Sequence, residues 1–141
     1  MVYKNLTVKL RNPKVEYQIY LDLEDIVEEM GEYVDAAVVE GSHDKKTLEK
    51  LGFKKDILKY SDNRLNDTDF ADMIADKYQS VVILTDYDEA GAKYNKKLST
   101  ELERRGVRVE KIFRKKIKEK LDDFGMRTIE SIYALRRRLF S

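Results

Sequence analysis

The sequence predicts an α/β fold: an open parallel sheet of about four strands with helices on both faces, plus an N-terminal arm and helix and a C-terminal helix. Three observations carry this. Short apolar runs alternate with amphipathic segments in the order β-α-β-α-β-α-β, with short connections. The two most apolar runs, at 36–39 and 80–84, are continuous rather than alternating, as in strands covered on both faces. Each run ends in an acidic turn, Glu40-Gly41 and Thr85-Asp86. Open parallel sheets bind ligands at that end of their strands.

Taken in order, Leu6, Val8 and Leu10 alternate with polar residues and predict a short strand or extended arm. Asn12-Pro13 reads as a helix start with proline at the first helical position. The stretch that follows carries two patterns. Val15, Tyr17, Ile19 and Leu21 alternate, whereas Ile19, Leu23, Ile26, Val27 and Met30 keep helical spacing; the helix is favoured, ending at Gly31. After the strand at 36–39, Asp44 is placed to cap a helix running to Leu51 and stopped by Gly52. A second strand is expected at 57–60. Asp67 or Thr68 then opens a helix with Phe70, Met73, Ile74 and Tyr78 on one face. The strongest strand, 80–84, leads to Asp88 as the cap of a helix whose Tyr94, Leu98 and Leu102 recur every four residues before Gly106. Residues 107–113 read as a fourth strand, and Thr128 starts an amphipathic helix through Ile132, Leu135 and Leu139. No repeat or linker divides the chain. The expected organisation is one domain over 1–141, with a core at about 34–113, an N-terminal extension at 1–33 and a basic helical extension at 114–141.

Composition removes several function classes. With 141 residues, no Cys and one His, a disulfide scaffold, a thiolate zinc site, a cysteine nucleophile and a His-rich metal site are excluded. No apolar run approaches the roughly 20 residues of a membrane span, and no signal-peptide pattern opens the chain, so a cytoplasmic protein without a membrane partner is expected. The 39% charged content and the scarcity of Gln suit a heat-adapted source. The net charge of +1 hides a division. Residues 15–44 hold ten acids and no Lys or Arg, whereas 111–141 hold ten bases against four acids. Either the basic end forms a footprint for a polyanion, or the two segments face each other as solvated helices.

If the strands at 36–39 and 80–84 are neighbours, Glu40, Asp86 and Asp88 converge on one sheet edge. Asp86 and Asp88, two apart in an extended segment, point to the same side. Clustered carboxylates repel one another unless a cation lies between them, and a hard divalent ion suits an all-oxygen donor set.

These residues resemble a known family. Ala37-Val38-Val39-Glu40-Gly41-Ser42-His43-Asp44 is similar to the first motif of the toprim domain, an apolar strand followed by Glu-Gly-x-x-Asp. Val82-Ile83-Leu84-Thr85-Asp86-Tyr87-Asp88-Glu89-Ala90-Gly91 is similar to the second, a strand followed by Asp-x-Asp-x-x-Gly. Toprim domains occur in topoisomerases, bacterial-type primases and several nucleases, including a ribosomal-RNA maturation nuclease; the whole chain looks most similar to small stand-alone toprim proteins. The resemblance implies Glu40 as general acid or base and Asp86 and Asp88, with Glu40, as ligands of Mg²⁺, for which Mn²⁺ could substitute. Gly41 and Gly91 match the turn glycines. Asp44 matches the acid at the head of the first helix, where it also serves as a cap. Ala90 stands where some relatives carry a third acid, so one ion at most is expected. His43 either contacts a phosphate or faces solvent, and Lys45 and Lys46 either attract a phosphate or form a solvated face. Arg64 and Asn66 are placed to border the acidic edge; Tyr87 either stacks on a base or packs on the sheet; Arg136, Arg137 and Arg138 read as a solvated face. At this length neither the separate tyrosine domain of a topoisomerase nor the template-holding region of a primase is expected. The resemblance therefore implies a Mg²⁺-dependent protein acting on nucleic acid by phosphodiester hydrolysis, RNA ahead of DNA. The alternative is a non-catalytic module that binds nucleic acid or a protein partner.

Overall fold

The computed structural model describes residues 13–62, 65–126 and 128–140. The arm expected around Leu6, Val8 and Leu10, and Arg64, lie outside them. The elements are α1 (Pro13–Met30), β1 (Ala36–Val39), α2 (Ser42–Lys50), β2 (Asp56–Lys59), a 3₁₀ turn (Tyr60–Asp62), α3 (Asp67–Lys77) and β3 (Ser80–Ile83). They continue as α4 (Glu89–Arg104), β4 (Arg108–Glu110), α5 (Ile112–Asp123) and α6 (Ile129–Phe140).

All strand pairs are parallel, and the spatial order is β2-β1-β3-β4. From β1 the chain steps to one side to form β2, then crosses back over β1 to form β3. Right-handed crossovers in opposite directions put their helices on opposite faces. The order therefore reverses between β1 and β3, which makes their carboxyl ends the crevice of the sheet.

The continuous apolar runs are explained by two cores. Successive strand residues point to opposite faces. Ala37, Val39, Val82 and Leu84 join Leu23 and Val27 of α1, Leu48 of α2, Ile117 of α5 and Ile132 of α6. Ala36, Val38, Val81 and Ile83 join Phe70 and Ile74 of α3 and Leu98 and Leu102 of α4. Each fully covered aliphatic side chain contributes about 1.5–3 kcal/mol, so both faces of β1 and β3 anchor their carboxyl ends.

Several boundaries differ from the sequence expectation. Asp44 does not cap from outside: α2 starts at Ser42 with Gly41 as N-cap, and Asp44, buried in the first turn, accepts the Gly41 N–H at 3.0 Å. β2 lies one residue earlier than expected, because Tyr60 enters the 3₁₀ turn. β4 covers only Arg108–Glu110 rather than 107–113. Phe113 instead begins the buried stripe of α5, with Ile117 and Leu121 at i+4 and i+8. The alternation of Val107 and Val109 runs into that helical stripe without a Gly or Pro to mark the change.

The charge division is partly internal. Asp22 of α1 pairs with Lys120 of α5 at 3.0 Å, Glu16 pairs with Arg138, and Arg136 Nε donates to the Tyr20 hydroxyl at 3.1 Å. The acidic first helix thus faces the basic C-terminal helices. Among the described residues, no helix is long and apolar enough to cross a membrane.

Candidate functional site at the β1–β3 crevice

Two turns build the site. In the first, Glu40 follows β1 directly, and its carbonyl accepts the Ser61 N–H at 2.9 Å, which ties it to the segment after β2. Its Oε1 accepts the Asp86 N–H at 3.4 Å, a long bond that still brings the side chain across the crevice to the turn after β3. Ser42 Oγ accepts from Lys59 Nζ at 3.3 Å, so a lysine from the end of β2 borders the same edge.

The second turn is tighter. Thr85, fully buried, donates to the Gly91 carbonyl at 2.9 Å. Asp88 is the N-cap of α4, its Oδ1 accepting the Gly91 N–H at 2.7 Å. The chain doubles back so closely that a Cβ at position 91 would lie 1.9 Å from the Asp86 carbonyl oxygen. Only glycine fits there. That close approach is the physical reason for the glycine that ends the Asp-x-Asp-x-x-Gly pattern.

Arg114 of α5, which sequence reasoning missed, braces this turn from the other side. Its guanidinium donates to the carbonyls of Ile83 (3.1 Å), Thr85 (2.7 Å) and Asp86 (3.2 Å). It also lies 4.3 Å from the centroid of the Tyr87 ring, whose hydroxyl donates to the Arg114 carbonyl at 2.9 Å. Burial pulls the Arg114 pKa below its ordinary value, opposed by Tyr87, Asp86 and Glu40. The guanidinium stays charged and sets a fixed cation beside the acids. Burial pushes the Tyr87 hydroxyl up, so it keeps its proton. Tyr87 therefore packs and does not offer an open face to a base. The only signal for Arg114 in the sequence is its place one residue after the Phe113 that starts the α5 stripe.

The remaining candidates divide. His43 is stacked on Tyr133 of α6, rings 5.2 Å apart and 11° from parallel, and so contributes packing between α2 and α6. Lys45 is half-buried and Lys46 exposed in the first turns of α2. Asn66 caps α3, accepting the Asp69 N–H at 2.8 Å. Glu89 is exposed and pairs with Lys93 at 3.4 Å.

The donor set is all oxygen, which suits Mg²⁺. Glu40 reaches the Asp86 backbone while Asp88 turns onto its own helix. Among the described residues no three Asp, Glu or His side chains close around a common point. Mg²⁺ does not require such a cage: one or two carboxylates suffice when waters and phosphate oxygens complete the octahedron. The residues present fit a site of that open kind.

Comparison with known proteins agrees with this fold. Residues 35–120 match the Toprim domain family, a span that holds both turns and Arg114. The chain is 36% identical over 116 residues to a UPF0292 protein of Pyrococcus horikoshii, covering 81% of this chain and 86% of that protein. It is 33% identical over 122 residues to a UPF0292 protein of Thermococcus onnurineus, covering 86% of this chain and 89% of that one. A solved structure of a protein from Aquifex aeolicus superposes with a TM-score of 0.61 at 28% identity, covering 78% of this chain and 94% of the other.

Proposed function

The chain belongs to the Toprim domain family, and on that premise we propose that it is a Mg²⁺-dependent phosphodiesterase acting on nucleic acid, RNA ahead of DNA. The family gives the coarser theme, metal-dependent work on nucleic acid. The observation that supports the finer reading is the reach of Glu40 across the crevice to the Asp86 turn. On this reading Glu40 is the proton-carrying group and Asp86 the ion-binding group, facing each other across one groove. Asp86 and Asp88 would hold the ion. When bound, Mg²⁺ neutralises phosphate charge and polarises a phosphoryl oxygen. Glu40, half-buried beside Asp86, would take a proton from an attacking water or return one to the leaving oxygen. Arg114 fixes the carbonyls of residues 83, 85 and 86, so the Asp86 backbone does not drift when its carboxylate gains a ligand. Purified protein should cleave RNA or DNA with Mg²⁺ or Mn²⁺, and Asp86→Asn should abolish that cleavage. No cleavage by either protein, or equal cleavage by both, contradicts the proposal.

A second reading, a nucleic-acid-binding module without hydrolysis, draws on one observation. The Asp88 carboxylate is already engaged by the Gly91 N–H. Under that reading the protein binds an oligonucleotide with steep salt dependence and leaves it intact.

A further inference from the structure

Beside the acidic turn, on the side away from Glu40, lies a groove of about 320 Å³ between α4 and α5. Lys111, Arg114, Lys115 and Lys118 line one wall. Lys111 is the N-cap of α5, and Arg114, Lys115 and Lys118 follow it at i+3, i+4 and i+7 along one stripe. Tyr87 and Asn95 line the facing wall. Tyr87 stands between Asp86 and Asp88 in sequence, so the groove begins where the acidic pair ends. We propose that this groove is the path of a single nucleic-acid strand, whose phosphates leave the acidic crevice and run along the α5 lysines.

Charge complementarity argues for that occupant. Arg114 is committed to three backbone carbonyls, but the lysines are not comparably held. Lys111 meets Glu103 at 3.3 Å and Lys118 meets Asp122 at 2.8 Å, both lysines exposed. Such pairs contribute about 0–1 kcal/mol and exchange readily for phosphate. Lys115 is exposed and makes no ion pair with a described residue. The other strongly basic stretch is different: Arg136 is held by Tyr20 and Arg138 by Glu16. The groove's volume is at the small end for ligand sites, a size that suits one sugar-phosphate unit. Because Arg114 covers the Tyr87 ring, no base stacks there, and the grip is indifferent to sequence.

The proposal rests on the nucleic-acid reading above but not on hydrolysis, and the test separates the two. Binding of a fluorescein-labelled oligouridylate is measured by anisotropy in EDTA, where no cleavage occurs, across a range of salt. The variants are Lys115→Glu with Lys118→Glu, both at exposed positions, beside Arg137→Glu on α6 as a charge control outside the groove. The double variant should bind about tenfold or more weakly, and its slope of log affinity against log salt should fall by about 0.7 for each phosphate it no longer neutralises. The control should change affinity less than about twofold, an order set by loss of general attraction alone. Equal affinity of the double variant and wild type overturns the proposal, as does absence of binding by wild type at low salt. Binding that depends on the lysines without any cleavage in Mg²⁺ supports the groove and removes only the hydrolytic reading.

Discussion

The turns after β1 and β3 solve one problem in mirrored ways. Both must end a strand buried on two faces and start a helix with an acid at hand. After β1 the capping carboxylate comes from inside the helix, Asp44 onto the Gly41 N–H. After β3 it comes from outside, Asp88 onto the Gly91 N–H. Each turn therefore commits one acid to its helix start and leaves another, Glu40 or Asp86, at the shared crevice. The two aspartates of the Asp-x-Asp pair are not equivalent. Asp86 belongs to the edge, whereas Asp88 spends Oδ1 on its cap bond and offers a metal Oδ2 alone.

The sharpest way to break this picture is Gly91→Ala. With the new Cβ 1.9 Å from the Asp86 carbonyl, the second turn must open, and stability should fall by about 3 kcal/mol or more. A urea midpoint close to wild type would mean the turn is not held that tightly. Arg114→Met comes next. It removes a charged donor from three carbonyls, and an expected loss of about 2 kcal/mol in urea unfolding should accompany weaker Mg²⁺ binding, because the Asp86 backbone is freed. Retained Mg²⁺ affinity in a destabilised but folded variant would make the residue purely structural.

Three substitutions separate cap from ligand. Asp88→Ala should cost about 1 kcal/mol, while Asp88→Asn keeps an acceptor and should cost only a few tenths. Asp86→Asn, off any helix cap, should shift the urea midpoint less than Asp88→Ala does. If Asp86→Asn proves as destabilising as Asp88→Ala, the division of labour drawn here is wrong.

The smallest effect is at the opposite end of the strands, where the Tyr78 hydroxyl donates to Asp56 at 2.7 Å. Burial, with the Asp56 carboxylate adding to it, pushes its pKa from 10.0 up to about 12. A raised folded pKa means the folded state holds the proton more tightly than the unfolded chain. That contribution is whole below about pH 10 and fades as pH passes about 12. Tyr78→Phe should therefore show a flatter loss of stability over that window than wild type. Identical profiles would mean that the Asp56 hydrogen bond contributes nothing to stability.

Much of this architecture was legible in the sequence. Strands buried on both faces announce themselves as unbroken apolar runs, and β1 and β3 did so. The pairing of Glu40 with the Asp86 turn followed from their places at the ends of those strands. What escaped was information held in three dimensions. Asp44 and Asp88 look alike as acids near a helix start, and only backbone geometry tells an internal cap from an external one. Residues 107–113 alternate well enough to read as a strand, and nothing local marks the switch at Lys111 into α5. The helical extension expected at 114–141 holds most of α5, but Arg114 stayed hidden there, because a lone arginine in a basic stretch gives no sign that it will meet three carbonyls some thirty residues earlier. Tyr87 and His43 were ambiguous for the same reason: each is decided by a helix arriving from the C-terminal part, α5 over Tyr87 and α6 over His43.

The most direct test of the crevice is calorimetric titration of Mg²⁺ into wild type, Asp86→Asn and Glu40→Gln. Wild type should bind one ion, Asp86→Asn should lose it, and Glu40→Gln should retain most of the affinity while losing cleavage. Mg²⁺ binding that survives in Asp86→Asn would contradict the assignment of this edge as the metal site.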